Sequence, residues 1–153
     1  MTKLTIFKQD KLFQEISKLI ENSKRNVVST INREMVILYW NVGNIINTDI
    51  VKNNRADYGK QVIKELSQQL ALHYGKGFNE TNLRNFIKFV QVFPSSEISH
   101  TLCEKLSWSH IRKLIYIEDA LKREFYLELC AYERWSVRTL QKCSIGHSQK
   151  LPI

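Results

Sequence analysis

Five glycines and two prolines, Pro94 and Pro152, are few for 153 residues, so the backbone lacks the punctuation that many-stranded sheets need at their turns. That scarcity favours helices. Cysteine is also sparse: Cys103, Cys130 and Cys143 are odd in number and have no CxxC spacing, as fits reduced thiols rather than a disulfide framework. Cys103 and Cys130 read as small buried hydrophobes. No apolar run reaches the length of a membrane span, and "MTKLTIFKQDK" turns charged before a signal-type core can form. The expectation is a cytoplasmic protein with no membrane partner.

Catalytic signatures are missing too. No Asp or Glu has a Lys two places later, so the acid-x-Lys element of restriction-type nucleases does not occur. His100 with Cys103, and Cys143 with His147, lie one helical turn apart but have no second half nearby to complete a metal site. Cys103 and His110 carry no local nucleophile signature. The reading is a chain that is not an enzyme, with no catalytic residue, metal, cofactor or small-molecule substrate.

What the chain has is apolar material for one core, 43% hydrophobic and 10% aromatic, and a formal charge of +8. The basic excess is spread along the chain with no run of five like charges, so any anion-binding face must be assembled by folding. From Asp10 to about Asn47, Phe13, Ile16, Ile20, Val27, Ile31, Met35, Leu38, Val42 and Ile45 recur at helical spacing and predict one long helix, or two in line with a break near residues 22–26. The stripe is expected to pack on the chain's own later helices, or else to seat a partner chain, which allows a homodimer through this helix.

After a polar loop, Val62, Ile63, Leu66, Leu70 and Tyr74 mark a second helix that Gly75 ends. Asn79 caps a third, with Phe78 and Leu83 as its hydrophobic staple, and Pro94 stops it. "SEISHTLCEKL" suggests a short helix, Ser107 or Ser109 caps "WSHIRKLIYI", and Glu118 and Asp119 look like cap residues. Leu121, Phe125, Leu129 and Tyr132 stripe the next helix, and Ser136 caps a last one, "VRTLQK". The fold class is therefore all-α: a single domain of about six helices over residues 1–142, then a loose tail over 143–153.

"HYGKGFNETNLRNF", residues 73–86, places two glycines between helical patterns. It follows a helix rather than a strand and has neither GxGxxG nor GxxxxGK spacing, so it reads as an elbow between helices and not as a phosphate loop. Residues 59–93 then describe a helix-turn-helix-like unit whose turn is lengthened by Lys76 and Gly77. With Leu83, Phe86, Ile87 and Val90 inward, the opposite face of the third helix presents Thr81, Arg84, Asn85, Lys88 and Gln91. Arg, Asn and Gln suit base edges, and Lys, Lys76 included, suits phosphate, so these six are the candidate nucleic-acid-binding residues. An ordinary solvated helix face would carry the same types.

Five blocks, "LYWNVGNII" (38–46), "ADYGKQVIKELSQQL" (56–70), "YGKGFNETNLRNFIKFVQVFP" (74–94), "LSWSHIRKLI" (106–115) and "LKREFYLELCAYERWSVRTLQK" (121–142), resemble the N-terminal domain of the YhcG-type bacterial proteins. The resemblance runs over roughly residues 10–142 and implies a helical, DNA-binding domain, normally followed by a PD-(D/E)xK nuclease-like domain. Here "CSIGHSQKLPI" stands in place of that continuation and looks like a truncated end, so no nuclease residue carries over. The resemblance thus implies a non-catalytic targeting domain whose partner is double-stranded DNA; the alternative is an interaction module that dimerises or holds a separate nuclease partner.

Overall fold

The computed structural model describes residues 3–53 and 57–147, with side chains described for 11–53, 57–97 and 100–144. Among the described residues the chain is all-α, with no strand. The helices are α1 (Lys3–Asn53), α2 (Tyr58–Tyr74), α3 (Glu80–Val92), α4 (Ser96–Lys105), α5 (Trp108–Leu114), α6 (Ala120–Tyr132) and α7 (Val137–His147), and a 3-10 turn, Lys76–Phe78, links α2 to α3. Backbone contacts divide the chain into residues 1–32 and residues 33–153.

Among the described residues the first unit is helix alone. Leu12, Phe13, Ile16, Leu19, Ile20, Val27, Val28 and Ile31 are each at least half exposed. The stripe predicted to pack on later helices therefore lies in solvent, and the same holds beyond the unit boundary for Met35, Leu38 and Ile45.

The second unit holds the core, in two clusters. One gathers Val36 and Trp40 of α1, Phe89 and Val90 of α3, and Leu102, Cys103, Leu106, Ile111, Leu114, Ile115, Tyr126, Cys130 and Leu140 from the later helices. The other joins Ile46 of α1, Ile63 of α2, and Leu83, Phe86 and Ile87 of α3. Trp108 packs against both, its ring 5.3 Å from Phe86 and 5.6 Å from Phe89. So α1 turns Val36, Trp40, Gly43 and Ile46 inward, a face beside the predicted stripe, which leaves Val42 half-buried. Because Ile46 and Ile50 have seats in or against the second cluster, α1 continues to Asn53, past the loop expected from residue 47.

Local chemistry sets the helix ends. Asn79 accepts from Asn82 N at 2.8 Å, Ser107 accepts from His110 N, Asp119 accepts from Leu121 N and Lys122 N, and Ser136 accepts from Thr139 N. Each satisfies an amide that a helix start leaves without an intrahelical partner. Trp40 Nε1 donates to the Phe93 carbonyl at 2.8 Å, tying the end of α3 to α1 just before Pro94. Helix α7 runs five residues past Lys142, into what the sequence suggested was loose tail; residues 148–153 of that tail lie outside the described residues. On α6 the inward residues are Tyr126 and Cys130, whereas Leu121, Phe125 and Tyr132 of the predicted stripe are exposed. Tyr74 of α2 is likewise exposed.

Candidate functional site

The third helix, whose outer face the sequence offered to a groove, is also the hub of the core. Leu83, Asn85, Phe86, Ile87, Phe89 and Val90 are all buried, because α3 serves one cluster with its first half and the other with its second. A helix packed on two sides keeps only a narrow outer strip, here Thr81, Arg84, Lys88 and Gln91.

Asn85 does not belong to that strip. It is 4% exposed and accepts a hydrogen bond from the Tyr116 hydroxyl, so its side chain answers a buried polar demand inside the fold. Its expected place on the outer face is corrected accordingly. Lys88 is half-buried, and its ammonium lies 4.5 Å from the centre of the same Tyr116 ring, a cation–π contact. Arg84 reaches back one turn to Glu80 at 3.6 Å, an exposed pair of the kind that contributes little and opens readily. Gln91 donates to Asn47 of α1 at 3.2 Å. Thr81 and Lys76 are exposed, the latter on the 3-10 turn. Four of the six predicted residues thus share one strip, Lys76 sits at the neighbouring turn, and Asn85 lies inside.

A cavity of about 650 Å³ is lined by Glu104, Lys105, His110, Tyr132, Arg134 and Trp135, with Cys130 in its wall. Its histidine is fully engaged. Nε2 is 2.8 Å from the Trp135 carbonyl, which can only accept, so Nε2 carries the proton and Nδ1 is left to accept from Ser107 Oγ at 2.8 Å. Burial pushes the Cys130 thiol up to about 11, so it stays protonated near neutral pH. Cys103 Sγ donates to the His100 carbonyl and its thiol is also raised by burial. Among the described residues neither thiol is paired with a base that would make it a nucleophile. Among the described residues no three His, Cys, Asp or Glu side chains converge where they could hold a metal ion. The His147 side chain named in the Cys143–His147 pairing lies outside the described residues. No described helix is long and apolar enough to cross a membrane.

The surface feature that sequence reasoning assigned first to the core is the apolar row of α1. Its residues were visible as a stripe; what spacing alone could not say is that the core would take the adjacent face.

Comparison with known proteins adds a lineage. The DUF1016 N-terminal domain matches residues 15–147. The chain is 29% identical over 157 aligned positions to the protein named "Putative nuclease YhcG" of Escherichia coli strain K12. That alignment covers 83% of this chain and 42% of the relative, so the chain spans less than half the relative's length. No solved structure matches.

Proposed function

Starting from the fact that the chain belongs to the DUF1016 N-terminal domain family, we propose that it is a non-catalytic assembly domain of a nuclease-like protein, joining chains by helix-to-helix packing along α1. The observation that carries this reading is the apolar row of residues 12–31, whose large side chains are each at least half exposed. A solitary helix of this kind is marginal in water, and helices in proteins draw most of their stability from packing an amphipathic face. Large contiguous apolar surface on a water-soluble chain marks an interaction site.

The expected result for the double variant Ile20→Glu/Ile31→Glu is a monomer by sedimentation, with the melting temperature of residues 33–153 held within a few degrees, while the wild-type chain associates. Both side chains are exposed, so the variant removes apolar surface without opening the core. A wild-type chain that sediments as a monomer at about 100 μM, where even a weak specific contact is populated, would refute the reading.

Docking on duplex DNA is the second reading, favoured by the charge of +8 and by the strip that keeps Arg84 and Lys88 in reach of solvent. The helix-turn-helix description of residues 59–93 belongs to this reading. Here Arg84 exchanges Glu80 for a phosphate, and Lys88 and Lys76 add point charges. Replacing both Arg84 and Lys88 by Ala is expected to weaken duplex binding and to make the slope of log K against log salt shallower by about 1.8, near 0.9 for each phosphate that is no longer neutralised. A salt-titrated gel shift reads both; unchanged slope and affinity would remove these residues from any interface.

A further inference from the structure

The cavity beside His110 lies wholly within the second unit, and no residue of α1 lines it, so it is independent of any association through that helix. Helices α4 and α6 both end on it. The last turn of α4 supplies Glu104 and Lys105, α6 ends there in Tyr132, and the turn that follows supplies Arg134 and Trp135. The fold itself engages part of this wall: both ring nitrogens of His110 are taken, one of them by the Trp135 carbonyl, and the Lys105 ammonium lies 4.5 Å from the centre of the Tyr132 ring. Three charges are left over. Glu104, Lys105 and Arg134 are exposed, and among the described residues none of them is in an ion pair.

Arg134 stands apart by its backbone. It follows Glu133, the C-cap of α6, and its φ of 53° is the one positive value at a non-glycine position among the described residues. Glycine is the usual occupant of that place, because a Cβ in the left-handed region crowds the carbonyl that follows it. An arginine there destabilises the turn, and among the described residues it forms no ion pair or hydrogen bond that would offset the cost. Strain of this kind is characteristic of positions whose side chain serves a site rather than the fold.

From these observations we infer that the cavity binds a nucleoside monophosphate whose base carries an amino group: the phosphate held by Lys105 and Arg134, the base against the rings of Tyr132 and Trp135, and the amino group donating to the Glu104 carboxylate. Each part of the ligand answers a feature of the walls. A phosphate monoester carries between one and two negative charges near neutral pH, enough to engage two cations, and arginine offers its oxygens a planar fork where lysine offers a point charge. Both helices end here in partial negative charge, so without Lys105 and Arg134 the cavity would repel an anion. Aromatic faces stack on any base, and selectivity falls to Glu104: a carboxylate only accepts, so it favours cytosine, which presents an amino group, over uracil, which presents a carbonyl at the same place. Cys130, protonated near neutral pH, and Ala131 leave the rest of the wall uncharged. At about 650 Å³ the space falls within the roughly 300–1,000 Å³ of small-molecule sites and admits one nucleotide.

Equilibrium dialysis of the full chain tests the site. Cytidine 5′-monophosphate is expected to bind with a dissociation constant on the order of 10–100 μM, as fits a ligand of its size. Uridine 5′-monophosphate is expected to bind at least threefold more weakly, and cytidine without its phosphate at least tenfold. Arg134→Gly separates binding from folding, because it removes the guanidinium and relieves the backbone: affinity for cytidine 5′-monophosphate is expected to fall at least tenfold while the melting temperature stays level or rises. Lys105→Met is expected to weaken binding by a similar factor with the fold intact, since the side chain is exposed. A single-stranded hexanucleotide with a 5′-phosphorylated cytidine end, set against its 5′-hydroxyl form, displaces the mononucleotide if the site takes a strand end and leaves it bound if the site takes the free nucleotide. No binding of cytidine 5′-monophosphate at about 1 mM, or an Arg134→Gly variant that binds like the wild type, would overturn the site. Equal affinity for the cytidine and uridine nucleotides would remove Glu104 from it, and with it the preference for an amino-bearing base.

Discussion

Gly43→Ala is expected to lower the melting temperature of residues 33–153 by on the order of 10 °C, although alanine is the better helix former by about 1 kcal/mol. A Cβ at this position would sit 2.1 Å from the Phe86 carbonyl oxygen, 2.5 Å from its carbon and 3.0 Å from Val90 Cγ2. The first two are backbone atoms and cannot rotate aside. Helices α1 and α3 would have to part, and since α3 belongs to both clusters, parting loosens both. Overpacking in a close-packed core costs about 1–3 kcal/mol and more where the backbone must move, so we expect a net loss near 3 kcal/mol after the gain in helix propensity. Thermal melts at fixed concentration check it, with Gly77→Ala as the control because an added Cβ there meets nothing within 4 Å. Equal melting temperatures for the two variants would show that the close approach of α1 and α3 carries no weight.

Phe86→Ala is expected to cost about 3–5 kcal/mol, much of the 5–15 kcal/mol that keeps an ordinary domain folded. Phe86 is 1% exposed and stacks on Tyr39 of α1 with ring centres 4.3 Å apart and planes 10° from parallel. Trp108 closes the group from α5, 5.3 Å from Phe86 and 5.1 Å from Tyr39. Truncation leaves a cavity walled by two aromatic rings too large to fall into it, so little of the loss is recovered by collapse. Urea unfolding is expected to show an earlier midpoint with the slope preserved, and Trp108 should meet more water in the folded state. A midpoint within experimental error of the wild type would mean that the second cluster contributes little to stability.

These two sites explain why α3 is a good keystone. Its inward residues were legible: Leu83, Phe86, Ile87 and Val90 follow helical spacing and are all buried. The helix starts were legible for the same reason, because Asn79, Ser107, Asp119 and Ser136 answer a local demand that depends on the next three residues only. The burial of Asn85 was not. Its partner Tyr116 lies 31 positions away, and until a tertiary contact supplies that hydroxyl an asparagine among charged neighbours looks like surface.

Class, helix order, most caps and kinship were determined by the sequence alone, since each depends on spacing or on neighbours within one or two turns. Which side of α1 and of α6 faces inward was decided only by tertiary structure. Both helices carry apolar residues over a wide arc, so periodicity admits more than one inward face. The choice fell to distant partners: at Gly43 the missing side chain lets α3 approach until backbone meets backbone, and that contact commits Val36, Trp40 and Ile46 to the core. Met35, Leu38 and Ile45, on the adjoining side of α1, were left to water by the same choice.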